Sequence, residues 1–75
     1  MTPTRVGNSI RRLRFEHGEM TQQQLGERVG VTRQTINAIE TGKYSPSLEV
    51  AFLMAEVFGV RVDEVFHFEK RARQR

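Results

Sequence analysis

Between Thr21 and Lys43 the apolar positions fall as Leu25 and Val29, then Ile36 and Ile39, with mostly polar residues between them. Spacings of three or four residues put each pair on one face of a helix. Thr21 stands where a hydroxyl can accept from the free N–H groups of a first turn, which predicts a helix over Gln22–Val29. Gly30 can enter the left-handed conformation that ends such a helix sharply. Val31 then points inward, Thr32 caps again, and Arg33 to Thr41 is predicted as the next helix, closed by Gly42. Gly26 is small where the two helices meet. A cap, an apolar pair, a glycine, a short gap and a second cap make a helix-turn-helix unit.

The flanking pattern frames that unit. A first helix is predicted to begin between Thr4 and Asn8 and to end near His17, with Val6, Ile10 and Leu13 inward and Gly18 as its stop. Met20 is placed to staple the start of the second helix. Pro46 makes Lys43–Pro46 a loop, and Ser47 caps a fourth helix, Leu48 to Phe58, that stops at Gly59. Glu49 sits favourably in its first turn. A short fifth helix follows, Val62 to about Phe66. A strand period appears only briefly, at Val65–Glu69. The expected architecture is all-α: five helices over residues 1–69, then a basic tail at 70–75.

The fourth helix is apolar almost all round: only Glu49 and Glu56 interrupt it. Leu48, Ala51, Met54, Ala55 and Phe58 suffice to cover the helix-turn-helix. Val50, Leu53 and Val57 form a second stripe, which a monomer of this size would expose. Together with Phe68 they predict a twofold homodimer interface, since large apolar patches are costly to leave in water. The competing expectation is that Phe52 and Leu53 pack under the N-terminal arm or the tail.

Composition narrows the function classes. Seventy-five residues make one domain, and the absence of cysteine removes disulfides, thiol nucleophiles and thiolate metal sites. No apolar run approaches a membrane span, and no signal-peptide pattern opens the chain, so a bacterial or archaeal cytoplasm is expected. The net charge of +3 is uneven: seven Lys/Arg against four Glu up to residue 44, one arginine against five carboxylates over 45–69, and four cations in the tail. A basic face steers a domain onto phosphate, and an acidic back keeps the other side off it.

The candidate chemistry lies at the front of the third helix. If Ile36 and Ile39 face inward, Thr32, Arg33, Gln34, Thr35 and Asn37 face out. The B-DNA major groove admits one helix, and arginine, glutamine and asparagine are side chains that read guanine and adenine edges. Base reading is expected from Arg33, Gln34 and Asn37, with Thr32 and Thr35 touching phosphate or a thymine methyl. Ala38 offers the groove only a methyl group.

TRQTINAIETGKYSPSL resembles the small stand-alone members of the phage repressor and Cro superfamily, the XRE family of bacterial and archaeal regulators, and the similarity runs from about Asn8 to Phe66. It implies a compact five-helix, lambda-repressor-like domain that works as a dimer on a partly palindromic operator of double-stranded DNA, most simply as a repressor. It also implies backbone clamps: Gln22 at the start of the second helix, and the Thr41-Gly42-Lys43 turn with Tyr44 after the third. Arg33 and Gln34 match the positions that repressors of this family use most directly. Arg14 and Glu40 fall where phage repressors join the first and third helices by an ion pair; two solvated charges are the alternative. Family members commonly cap the fifth helix with Ser or Thr, where this chain has Arg61.

No catalytic site is expected. His17 and His67 flank no Asp or Cys constellation, no glycine-rich phosphate loop follows a strand, and metal-ligand spacing is lacking, so no cofactor, metal or small-molecule ligand is implied. The rival is an antitoxin-like module that inhibits a protein partner while binding its own promoter, but residues 70–75 are short for a wrapping extension. An RNA-binding role lacks an aromatic stacking platform. The tail KRARQR is expected to be disordered, with a non-specific DNA contact as the alternative.

Overall fold

The computed structural model describes residues 4–43 and 45–68; Tyr44 and the basic tail lie outside the described residues. The elements run β1 (Val6–Asn8), α1 (Ile10–Glu16), α2 (Gln22–Val29), α3 (Arg33–Glu40), α4 (Leu48–Phe58), α5 (Val62–Val65) and β2 (Phe66–Phe68). No described helix is long and apolar enough to cross a membrane.

The five helices stand where the pattern put them, with two corrections at the chain ends. The architecture is not strictly all-α. β1 and β2 form a two-stranded antiparallel sheet, with Val6 opposite Phe68 and Asn8 opposite Phe66. The first helix accordingly starts at Ile10, and Val6 lies on a strand rather than on its inward stripe. Gly7 disfavours a helical turn there, and Asn8 ends the strand by turning its Oδ1 to accept from the Ile10 N–H at 3.1 Å.

Caps and glycines fix the remaining boundaries. Thr21 and Gln24 make a reciprocal capping box: the Gln24 N–H donates to Thr21 Oγ1 at 3.0 Å, and the Thr21 N–H to Gln24 Oε1 at 2.9 Å. Thr32 and Ser47 cap α3 and α4 by accepting from the N–H groups of Thr35 and Val50. At α5 the Glu64 carboxylate accepts from the Arg61 N–H, but a guanidinium has no acceptor with which to complete a box. The Arg61 side chain instead holds Asp63 at 2.8 Å, a bond that raises its pKa.

The core is one cluster. Ile10 and Leu13 of α1, Met20 before α2, Leu25 and Val29 within α2, Ile36 and Ile39 of α3, Met54, Ala55 and Phe58 of α4, and Val65 are buried together. Burial of both Met20 and Leu25, flanking the Thr21 cap, is the arrangement of a hydrophobic staple. Leu48 departs from expectation: it is 73% exposed at the first turn of α4. Val50, Leu53 and Val57 are half-buried at the margin of the core, while Phe52 and Phe68 are exposed.

Candidate nucleic-acid interface

The joint between α2 and α3 sets the direction of everything in front of it. Gly30 (φ 82°) ends α2, and the N–H groups of Gly30 and Val31 both return to the Gly26 carbonyl, at 2.8 and 2.9 Å. The chain folds back so closely that a Cβ at position 26 would lie 2.6 Å from the Val31 carbonyl oxygen. Glycine is required here for space, not for an unusual backbone angle.

With Ile36 and Ile39 buried beneath it, α3 leaves Arg33, Gln34 and Asn37 exposed, as the polar pattern predicts. Thr35 and Ala38 are half-buried beside them. Thr32 is exposed, and its hydroxyl lies 3.0 Å from that of Thr35, so the two threonines form one hydrogen-bonding unit at the helix start. The far end closes in a Schellman turn: the Gly42 N–H donates to the Ile39 carbonyl at 3.1 Å and the Lys43 N–H to the Ala38 carbonyl at 2.9 Å, with Gly42 at φ 77°. The Thr41 hydroxyl donates back to the Asn37 carbonyl at 2.8 Å, and the Lys43 side chain is exposed.

Behind α3 the structure holds the ion pair that the family resemblance implies. Arg14 Nε and Nη2 donate to the two Glu40 oxygens at 2.6 and 3.1 Å, and the side chains are only 15% and 8% exposed. Nη1 donates to the Met20 carbonyl at 2.7 Å. Gln22 joins this network through its Nε2, 3.2 Å from Glu40 Oε1 and 3.2 Å from Asn37 Oδ1. An open groove of about 990 Å³ runs between α1 and α3, bordered by Arg11, Arg12, Gln22, Asn37 and Thr41.

One contributor escapes a reading of the sequence. Asn8 donates through Nδ2 to the Ile39 carbonyl at 3.0 Å and more weakly to that of Glu40 at 3.4 Å, bracing the last turn of α3. Its only sequence signal is that of a residue that favours turns and helix starts. The Thr4 N–H adds a second brace, to the Gly42 carbonyl at 3.1 Å.

The helix-turn-helix family model matches residues 10–65, which includes all five helices. The chain belongs to the XRE-type helix-turn-helix family. Its relatives in this family include an uncharacterized HTH-type transcriptional regulator of Methanocaldococcus jannaschii, 47% identical over 62 residues, 83% of this chain and 92% of that protein. Another is the uncharacterized HTH-type transcriptional regulator YgzD of Bacillus subtilis, 44% identical over 63 residues, 84% of this chain and 94% of YgzD. Among solved structures, that of a Bacteroides fragilis protein described as a candidate DNA-binding protein superposes with a TM-score of 0.70 at 24% identity, covering 83% of this chain and 98% of that one. At that identity the match speaks for the family fold alone.

Proposed function

We propose that the protein is a sequence-specific regulator that binds double-stranded DNA by inserting α3 into the major groove, and that it acts as a homodimeric repressor on a partly palindromic operator. The observation that carries this reading is the exposed front of α3, where Arg33, Gln34 and Asn37 stand clear of the core on a braced helix. Arginine, glutamine and asparagine carry the amide and guanidinium groups that match base edges, and the helix start offers the threonine pair to phosphate or a thymine methyl.

Phosphate clamps flank the readers. The capping box engages the N–H groups of Thr21 and Gln24, which leaves those of Gln22 and Gln23 at the positive end of the α2 dipole for one phosphate. Thr41, Gly42, Lys43 and Tyr44 serve the other run. With two readers related by a twofold axis, the dimer spans two half-sites, and occupying a promoter is the simplest route to repression. Relatives described as HTH-type transcriptional regulators support a role in transcription regulation.

Selection of bound sites from random duplex DNA, at stated salt, tests the proposal. The expected product is a short inverted repeat. Arg33→Ala or Gln34→Ala should cost on the order of 1–3 kcal/mol and relax preference at particular positions. Lys43→Ala should weaken all sequences alike and flatten the salt dependence. Indistinguishable specificity profiles for Arg33→Ala and Lys43→Ala would show the roles to be misassigned.

A further inference from the structure

We propose that the groove between α1 and α3 seats one sugar–phosphate strand of the bound duplex, with a phosphate on Arg11 and a neighbouring sugar against Phe15. The inference rests on α3 lying in the major groove, and it gives α1 a part in holding it there.

The charges along the groove single out Arg11. Three arginines of α1 border it, Arg11, Arg12 and Arg14, together with the carboxylates of Glu16 and Glu40. Arg14 is committed to both oxygens of Glu40 at 2.6 and 3.1 Å, in a pair that is largely buried. Arg12 holds Glu16 at 3.2 Å, one helical turn further on. Both carboxylates are thereby neutralised, while Arg11 is exposed and has no partner among the described residues. The groove carries one surplus positive charge, at one known place.

Phe15 says what kind of anion fits. It follows Arg11 by four residues, which puts both on one face of α1, and it borders the same groove 68% exposed. An aromatic ring beside an unpaired guanidinium offers an apolar surface and a cation side by side. A free inorganic anion would use the cation and leave the ring in water. A nucleic-acid strand uses both, since its phosphates alternate with sugars whose C–H groups can rest on the ring. The opposite wall is formed by Gln22, Asn37 and Thr41, the residues assigned above to the duplex. The major groove is about 12 Å wide, close to the diameter of a helix with its side chains, so a helix that fills it has a phosphate strand along each flank. The α1–α3 groove lies along one flank of α3.

Salt dependence tests the clamp. Fluorescence anisotropy measures affinity between about 50 and 200 mM salt for the duplex recovered by site selection and for an unrelated duplex. The full chain and each variant are first checked for helical circular dichroism. Arg11→Gln should reduce the slope of log affinity against log salt by about 0.9 on both duplexes, the value of one phosphate contact. Arg11→Lys should restore it. Arg28→Gln removes the same charge from an exposed site in the last turn of α2, away from the groove, and should leave the slope alone. So should the charge-neutral double variant Arg12→Gln with Glu16→Gln. Phe15→Ala should weaken binding at every salt without altering the slope, and native affinity in that variant contradicts the sugar contact. An unchanged slope in Arg11→Gln, or an equal fall in Arg28→Gln, overturns the clamp while the DNA-binding role stands. A native chain that binds neither duplex at any salt removes that role, and the clamp with it.

Discussion

A single missing methyl group shapes the turn. Gly26 lies within α2, where alanine is ordinarily the better helix former, yet its absent Cβ is what admits the Val31 carbonyl. Gly26→Ala should therefore destabilise the fold by about 1–3 kcal/mol, the usual cost of overpacking, despite the gain in propensity. Urea unfolding followed by circular dichroism measures this, and an unchanged or raised midpoint would contradict it. Charged pairs divide in the same way by surroundings. Arg14–Glu40 is largely buried, so Arg14→Met should cost about 3 kcal/mol by stranding a carboxylate. Arg12–Glu16 has side chains 60% and 52% exposed, and Arg12→Met should change stability by about 0.5 kcal/mol or less. Equal losses in the two variants would mean that burial does not govern these pairs.

At the level of elements, the braces on α3 matter most. Asn8 ties β1, the start of α1 and the last turn of α3 together with one side chain. Asn8→Ala should lower stability by about 1–2 kcal/mol through an unpaired carbonyl and a lost cap. Amide exchange should quicken in the last turn of α3 more than in α2; uniform quickening would argue against a local brace. Much of this level is legible in the sequence. Thr21, Thr32 and Ser47 mark helix starts, Gly30, Gly42 and Gly59 mark ends, and the apolar stride between them sets which face is buried. β2 shows as the brief strand period at Val65–Glu69, but β1 is less legible, because Val6–Asn8 is too short to display a period and its partner lies some sixty residues away. Val6 reads as helical for that reason. Leu48 reads as buried because the stride continues to it, though it is exposed at the first turn of α4. The Gln22 bonds to Asn37 and Glu40 depend on how α2 and α3 meet, which spacing alone does not convey.

The whole molecule presents two different surfaces. One carries the polar front of α3 with the arginines of α1 along an adjoining groove. The acidic second half of the chain carries the exposed Phe52 and Phe68 and the half-buried Leu53 and Val57. A homodimer formed through Val50, Leu53, Val57 and Phe68 would shelter this apolar area and match the symmetry of an inverted repeat. Phe68→Asp combined with Leu53→Asp should convert a dimer in sedimentation velocity to a monomer while helical content persists. A species of unchanged mass would remove these residues from the interface.

The terminal sheet imposes an order of events on folding. Val6 pairs with Phe68 and Asn8 with Phe66, so β1 has no partner until residues 66–68 have left the ribosome. The contacts between α2 and α3 span few residues and can close early, at small entropic cost. A nascent chain would thus hold a formed turn whose reading helix is not yet steadied from behind, and only arrival of the final strand would complete the clasp.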